Sequence, residues 1–156
     1  MMNTDRIERE ILLRAPRSRV WRALTEGQEF GSWFGVKLGA GDFQPGARVS
    51  GPLTCKGLDH VTMKFTVEQV EPESFFSYRW HPYAVDPDYD YEQEPTTLVE
   101  FRLDEVDGGT RLRVVESGFD LIPEARKAKA LEMNSNGWAI QMENIERHVS
   151  AVESRG

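Results

Sequence analysis

The C-terminal part of the chain carries one long apolar stripe, which limits how the remainder can fold. From Pro123 to about Val152, the only residue that disfavours a helix is Gly137. Apolar residues recur there every three, four or seven positions, at Leu131, Trp138, Met142, Ile145, Val149 and Val152. This spacing predicts a single long helix with one apolar face. Such a face must be buried against a broad apolar surface, which a sheet formed by the preceding residues would supply.

The middle of the chain, from Ala47 to Phe119, has a period of two. Four successive segments each place a set of residues on one face: Val61, Met63, Phe65 and Val67; Phe76, Tyr78 and Trp80; Thr97, Val99, Phe101 and Leu103; and Leu112, Val114 and Glu116. This alternation predicts β-strands. A turn at Pro72-Glu73-Ser74 and a hairpin signal at Asp107-Gly108-Gly109 predict that the strands run antiparallel.

The N-terminal part predicts one more strand and two short helices. Ile7 to Leu13 alternates weakly, Pro16 suits the first turn of a helix, and Gln28 to Phe34 forms a second helical segment. The predicted architecture is therefore α+β, with a curved antiparallel sheet of about six strands wrapped around the C-terminal helix. A length of 156 residues is typical of a single domain, here residues 1–156.

Composition excludes several classes of function. The net charge is -7 and the 19 Lys and Arg residues are scattered, which argues against nucleic acid and against anionic membranes. No apolar run approaches the roughly 20 residues that span a bilayer, and Met1 to Glu10 is too polar for a secretory signal. The lone Cys55 excludes an internal disulfide and a cysteine-ligated iron–sulfur cluster, and favours the cytoplasm. Gly35, Gly39 and Gly41 lack dinucleotide-binding spacing, so a flavin or nicotinamide oxidoreductase is not expected, and we expect no cofactor.

Several short motifs together resemble a known family. They are Ala15-Pro16, Val20 to Thr25, Trp33-Phe34, Pro45-Gly46, Glu71-Pro72-Glu73, Phe76 to Trp80, Glu116 to Phe119, and Gly137-Trp138. In this order they resemble the homologues of the activator of heat-shock protein 90 ATPase, from about Arg6 to Val149. The resemblance implies the START-like helix-grip fold, which is also the fold of the birch pollen allergen. It further implies a wedge-shaped cavity between the sheet and the last helix.

Inward-facing residues of the sheet and the last helix are the candidates for lining that cavity. The candidate ligand-binding residues are Trp33, Phe34, Met63, Phe65, Tyr78, Trp80, His81, Val99, Phe101, Val114, Glu116, Trp138 and Met142. Apolar side chains with a few polar groups are typical of a small-molecule pocket, but also of a filled core. The sequence leaves both interpretations open.

Glu116 is the sharpest anomaly among these residues, because it shares a strand face with Leu112 and Val114. A buried carboxylate is costly unless it is paired. It could act as an acid, a base or a ligand anchor, with His60, Arg79 or His81 as partner. Alternatively it forms a structural ion pair, or a bend in the strand turns it to solvent. We expect an arginine partner. Glu116 and His81 are candidate catalytic residues, but no motif assigns a reaction.

An acidic segment, which we call the acidic loop (residues 82–95), lies between two predicted strands. Asp86, Asp88 and Asp90 imitate the first positions of a calcium loop, but Tyr91 replaces the required glycine and Thr97 the final glutamate. A solvated loop is therefore predicted, with Tyr83, Tyr89 and Tyr91 folding over the cavity or forming a subunit contact. His60, His81 and Glu116 have no informative ligand spacing, so no metal site is predicted.

Three functions follow from these observations. The first is binding of a small hydrophobic or aromatic molecule in the cavity. The second is a cyclase- or hydrolase-type enzyme that uses Glu116 with a histidine in the same cavity. The third and weakest is a module that contacts a chaperone through Trp33 and Phe34. A homodimer is left open, and nucleic acid and membrane partners are not expected.

Overall fold

A computed structural model describes residues 6–54, 56–58, 60–86 and 88–153, and for 151–153 the backbone alone. Cys55 and the side chain of Val152 therefore lie outside the described part. The elements in chain order are β1 (Arg6–Leu13), α1 (Arg17–Thr25), α2 (Gly27–Phe34), β2 (Arg48–Pro52), β3 (Thr62–Glu71), β4 (Phe75–Trp80), β5 (Thr97–Val106), β6 (Gly109–Ser117) and α3 (Glu124–Glu153). Single turns of 3-10 helix occur at Tyr91–Gln93 and Phe119–Leu121.

The six strands form one antiparallel sheet in the order β1-β6-β5-β4-β3-β2. The N-terminal strand β1 thus pairs with the last strand β6, while β2 forms the opposite edge. A register shift between Val67 and Gln69 in β3 marks a β-bulge, which bends a sheet locally. The predicted α+β helix-grip architecture with about six strands and a long C-terminal helix is confirmed.

The long helix α3 buries the predicted stripe against the sheet and the two short helices. Trp138, Met142, Ile145 and Val149 are all at most 4% exposed. The prediction for Pro16 is wrong by one position, since it precedes α1 with an extended backbone and its carbonyl accepts from the N–H groups of the first turn. Among the described residues, no helix is long and apolar enough to cross a membrane.

The end of α2 is set by two glycines that orient its last aromatic residue. Gly35 adopts a left-handed conformation, with φ of 96°, which glycine tolerates without steric cost. A Cβ on Gly31 would lie 2.2 Å from the carbonyl oxygen of Val36. Because glycine has no Cβ, the chain after α2 can pack closely against the helix at this position. Phe34 consequently reaches the interior, where its ring centroid lies 6.0 Å from that of Trp80 and 6.0 Å from that of Trp138.

Aromatic rings fill most of the space between α2, α3 and the sheet. Phe65 and Tyr78 have centroids 4.5 Å apart, and Phe76 stacks on Phe101 at 5.9 Å. Separations of this size are favourable for aromatic pairs and add to the free energy of burial. This part of the interior is therefore a packed core.

A polar network joins the C-terminal half of α3 to α1 and α2. Glu29 accepts from Arg19 at 2.8 Å and from Arg22 at 2.7 Å, and His148 of α3 lies 2.9 Å away. Burial opposes ionisation of Glu29, but the hydrogen bonds from His148 and the two arginines outweigh it and lower the pKa of its carboxyl. The network therefore favours the ionised glutamate.

Candidate ligand-binding site

A cavity of about 520 Å³ lies between the sheet, α3 and the acidic loop. Its apolar walls come from Phe34 at the end of α2, Leu53 after β2, Met63 in β3 and Trp80 at the end of β4. Residues 83–86 and 89–92 of the acidic loop close one side, and Asn134 of α3 contributes a polar group. Tyr83, Tyr89 and Tyr91 of the loop all line this space, which agrees with the first of the two alternatives given for them.

Arg126 in the first turn of α3 holds both ends of the acidic loop. Its guanidinium contacts the Glu94 carboxylate at 2.7 and 3.0 Å and donates to the carbonyl oxygens of Pro82 and Tyr83 at 3.1 and 3.2 Å. It also lies 4.7 Å from the centroid of the Tyr91 ring, which is a cation–π distance. We call these contacts the Arg126 clamp.

Glu94 is the acidic partner in this clamp and is 8% exposed. Tyr89 donates its hydroxyl to the same carboxylate, and this bond raises the pKa of the tyrosine. Burial opposes ionisation of Glu94, but the bonds from Arg126 and Tyr89 prevail and lower the pKa of its carboxyl. His81 donates from Nε2 to the Glu94 carbonyl at 3.0 Å, so the end of β4 is tied to the loop as well.

Glu116 is fully buried and is surrounded by neutral donors, which we call the Glu116 cage. Trp80 Nε1 and Thr97 Oγ1 donate to Oε2 at 2.7 and 2.6 Å. Trp138 Nε1 donates to Oε1 at 2.8 Å, and Asn134 Nδ2 lies 3.0 and 3.2 Å from the two oxygens. Because indole and amide N–H groups only donate, the side chain of Glu116 accepts the bonds from Trp80, Trp138 and Asn134.

The expected arginine partner of Glu116 is therefore wrong, and so is the alternative of a bend that exposes it. Strand register explains the outcome. Trp80 pairs with Thr97 across β4 and β5, and Val99 pairs with Glu116 across β5 and β6, so the two sheet donors lie close to the carboxylate. Helix α3 adds the other two donors from positions one helical turn apart. Neutral hydrogen bonds can satisfy a buried carboxylate without a cation.

Tyr78 has a buried hydroxyl, and no residue in the described part of the chain forms a hydrogen bond with it. Desolvation, followed by the negative charge of Glu116, raises the pKa of this phenol well above its ordinary value. Tyr78 and Glu116 both pair with Val99, so they stand in one row across the sheet. The hydroxyl is thus a neutral polar group held in the core.

The structure divides the candidate ligand-binding residues into two groups. Phe34, Met63, Trp80 and His81 line the cavity. The others, all at most 7% exposed, lie in the core: Trp33, Phe65, Tyr78, Val99, Phe101, Val114, Glu116, Trp138 and Met142. Contact of either group with a ligand stays a prediction.

The partners suggested for Glu116 lie elsewhere. His60 and His81 line the cavity, but in the described part of the chain neither is hydrogen-bonded to the carboxylate. Arg79 points to the other side of the sheet and pairs with Glu68 at 3.0 Å. No group of three or more His, Cys, Asp or Glu side chains able to hold a metal ion occurs within the residues described.

Sequence reasoning missed Asn134, Glu94 and Arg126. A signal existed for Asn134, because the seven-residue gap between Leu131 and Trp138 in the helix stripe is spanned by position 134, which lies on the same face. No local pattern marks Arg126 or Glu94, since their contact joins residues that are 32 positions apart.

Solved structures share this fold. Protein MLL2253 from Mesorhizobium loti is 24% identical, with a TM-score of 0.73 and coverage of 94% of this chain and 97% of that one. NE0264 from Nitrosomonas europaea is 18% identical, with a TM-score of 0.75 and 99% coverage of each chain. The Aha1 dimer from Colwellia psychrerythraea is 17% identical, with a TM-score of 0.68 and coverage of 92% and 95%. Identities this low establish the fold alone.

Comparison with curated proteins gives no match. The family model described as Activator of Hsp90 ATPase homolog 1-like protein, however, matches residues 14–150, which is most of the chain. This agrees with the resemblance drawn from the short motifs. The chain belongs to the family of Activator of Hsp90 ATPase homolog 1-like proteins.

Proposed function

We propose that the protein binds a small hydrophobic or aromatic molecule in the cavity beneath the acidic loop. The observation that carries the proposal is a space of about 520 Å³ with aromatic and aliphatic walls. Small-molecule sites usually enclose about 300–1,000 Å³ and are mostly apolar with a few polar groups. The rest of the interior is filled by interlocking rings, so the space is a local feature and not general loose packing.

The acidic loop is the wall through which a ligand would enter. The other walls come from strands of the sheet, from α3, and from Leu53, His60 and Val61 between β2 and β3. The loop depends largely on the Arg126 clamp and on the bond from His81 to Glu94. Such a loop can open locally at a lower free-energy cost than the sheet.

Titration with N-phenyl-1-naphthylamine, a neutral aromatic dye, tests the proposal. We expect micromolar binding with a rise in dye fluorescence. Met63→Trp should weaken binding at least tenfold, because Met63 lines the cavity and the larger ring would occupy it. Met133→Trp is the matched control, since Met133 is 37% exposed on α3 and does not line the cavity.

The dye experiment has clear contrary outcomes. If the folded protein does not bind the dye, the proposed function fails. It fails equally if Met63→Trp unfolds at the same temperature as the wild type and binds with unchanged affinity. Should Met63→Trp not fold, Val61→Phe on the same wall replaces it with the same expectation.

The geometry gives less support to the two alternatives. A reaction that uses Glu116 with a histidine needs the two groups within hydrogen-bond reach, yet all the donors to Glu116 are tryptophan, threonine and asparagine. Contact with a chaperone through Trp33 and Phe34 needs them at the surface. Trp33 is 4% exposed and donates to the Ala23 carbonyl at 2.7 Å, and Phe34 faces the cavity.

Domain organisation, cellular location and oligomeric state are further parts of the proposal. We propose a single domain and a cytoplasmic location on the composition given above. A homodimer is also proposed, because one protein of this fold was solved as a dimer. Sedimentation velocity at micromolar concentration checks the oligomeric state, with a single species near the mass of two chains as the expected result.

A further inference from the structure

Within the proposed function, we infer that the cavity selects aromatic ligands that carry a hydrogen-bond donor and no negative charge, such as phenols and aromatic amines. The inference rests on the proposed function, since it concerns the same cavity. It follows from how the Glu116 cage uses the polar atoms of the cavity wall.

The cage removes donors from the wall. Trp80 and Asn134 both line the cavity, and each directs its N–H donor to Glu116, at 2.7 Å and 3.0 Å. An indole has no other polar hydrogen. A ligand acceptor in the cavity therefore cannot use the Trp80 N–H, or the Asn134 N–H that is bonded to Glu116, unless it takes that donor from a buried carboxylate.

The bonds from Asn134 to Glu116 leave the side-chain oxygen of Asn134 as a hydrogen-bond acceptor on the cavity wall. A carboxylate attracts the amide nitrogen of Asn134 and repels its oxygen, so the orientation of the amide is fixed. The oxygen Oδ1 receives no hydrogen bond from any described residue. Since Asn134 lines the cavity, this oxygen is available to a ligand hydroxyl or amine.

Charges at the cavity also disfavour anions. Asp86, Asp90 and Glu92 line it, and none of these carboxylates forms an ion pair with a described residue. Lys64 is the cation on the same wall. A ligand carboxylate would enter against this excess of negative charge.

Three matched biphenyls test the inference by displacing N-phenyl-1-naphthylamine from the wild-type protein. We expect 4-phenylphenol to bind about fivefold tighter than 4-methoxybiphenyl, which keeps the oxygen but has no donor, as one net hydrogen bond allows. We expect biphenyl-4-carboxylate to bind at least tenfold more weakly than the phenol. The inference is overturned if the carboxylate binds as tightly as the phenol, or if the phenol has no advantage over the ether.

Two sets of variants locate the effect. Asn134→Leu should bring the phenol-to-ether ratio close to one. Asp86→Asn combined with Glu92→Gln should tighten binding of biphenyl-4-carboxylate about threefold without changing the affinity for 4-phenylphenol. This double variant does not alter the Glu116 cage, so it still tests the inference if Asn134→Leu does not fold. Glu105→Gln with Asp107→Asn makes the same change of charge away from the cavity and should alter neither ligand. An unchanged carboxylate affinity in the loop variant would contradict the electrostatic part.

Failure of the proposed function is distinguishable from failure of this inference. If neither the dye nor any biphenyl binds, the cavity is not a binding site and the proposed function is lost. If the biphenyls bind without the expected order, the binding function stands and the selection for donors is lost.

Discussion

The interior of the protein holds two glutamates that are buried in opposite ways. Glu116 is fully buried and accepts from neutral donors that lie on two strands and on α3. Glu94 is 8% exposed and is held by the guanidinium of Arg126 and the hydroxyl of Tyr89. The first joins elements whose backbones are already fixed by hydrogen bonds. The second fixes a loop that otherwise has few contacts with the core.

This difference separates a carboxylate that joins elements of the core from one that holds the loop over the proposed binding site. Removal of a cage contact leaves polar groups unpaired inside the core, where water cannot replace the lost partner. Removal of a clamp contact frees a loop at the surface, where water can replace it. We therefore expect changes at Glu116 to act mainly on stability, and changes at Glu94 to act mainly on entry and exit of a ligand.

The largest effect is expected for Glu116→Gln, which should destabilise the protein by about 3 kcal/mol. Each carboxylate oxygen accepts from one indole, so the new amide group must face an indole N–H in either orientation. Urea unfolding at pH 7 measures the loss. Glu68→Gln removes an exposed ion pair on the same sheet and should cost no more than about 0.5 kcal/mol. A loss under about 1 kcal/mol at Glu116 would show that the cage is not a tight structural unit.

Glu94→Gln should have a smaller effect on stability, about 1.5 kcal/mol, because Arg126 can turn partly to water. Its effect on the acidic loop should be larger. Amide hydrogen exchange of residues 83–86 and 88–92 should accelerate severalfold, as should dissociation of N-phenyl-1-naphthylamine. Exchange in β5 and β6 should not change. If amide hydrogen exchange accelerated equally throughout the sheet, the Arg126 clamp and the Glu116 cage would not be independent of each other, contrary to the account.

Three glutamates in the described part of the chain have a lowered pKa, Glu26, Glu29 and Glu94, and the pH dependence of stability should follow them. A lowered folded-state pKa stabilises the protein above the unfolded-state value of about 4.3, and this contribution is lost as the pH falls through the folded-state value. The free energy of unfolding should therefore decline below about pH 4.5. Glu29→Gln combined with Glu94→Gln should flatten this decline. An unchanged acid slope in the double variant would contradict the assignment.

The smallest effect is expected for Tyr78→Phe, which removes a buried hydroxyl that has no partner among the described residues. The change should be neutral or should stabilise the protein by up to about 1 kcal/mol. Thermal unfolding measures it, with Phe76→Leu as a control for a real loss of packing in the same strand. A clear loss of stability in Tyr78→Phe would mean that the hydroxyl has a partner, such as a bound molecule, in solution.

The sequence predicts the packed part of the molecule much better than the cavity. Period-two alternation identifies the inward-facing residues of β4, β5 and β6, including Glu116, because strand geometry alone fixes which side a residue faces. The helix stripe likewise locates α3. Neither pattern identifies the partners of Glu116, since these depend on strand register and on the position of Asn134 opposite the sheet.

The full lining of the cavity could not be predicted, because one of its walls is a loop. No periodicity describes residues 82–95, and their path depends on Arg126, which is more than 30 positions away from the residues it binds. The expected arginine partner of Glu116 is wrong, whereas Glu94, for which no partner was predicted, is the buried glutamate that pairs with an arginine. Pairing rules give the kinds of partner that a buried charge needs, and the tertiary fold decides which residue supplies them.

The indole N–H signals of the four tryptophans offer the most direct test of the central claim, that ligands bind beneath the acidic loop. We expect 4-phenylphenol to shift the Trp80 indole signal most in ¹H–¹⁵N spectra, since Trp80 lines the cavity. Amide signals of residues 83–86 and 88–92 should shift with it. The signal of Trp33, which is buried and bonded to Ala23, should barely move. Shifts confined to residues outside the cavity, or no shifts at saturating ligand, would contradict the account.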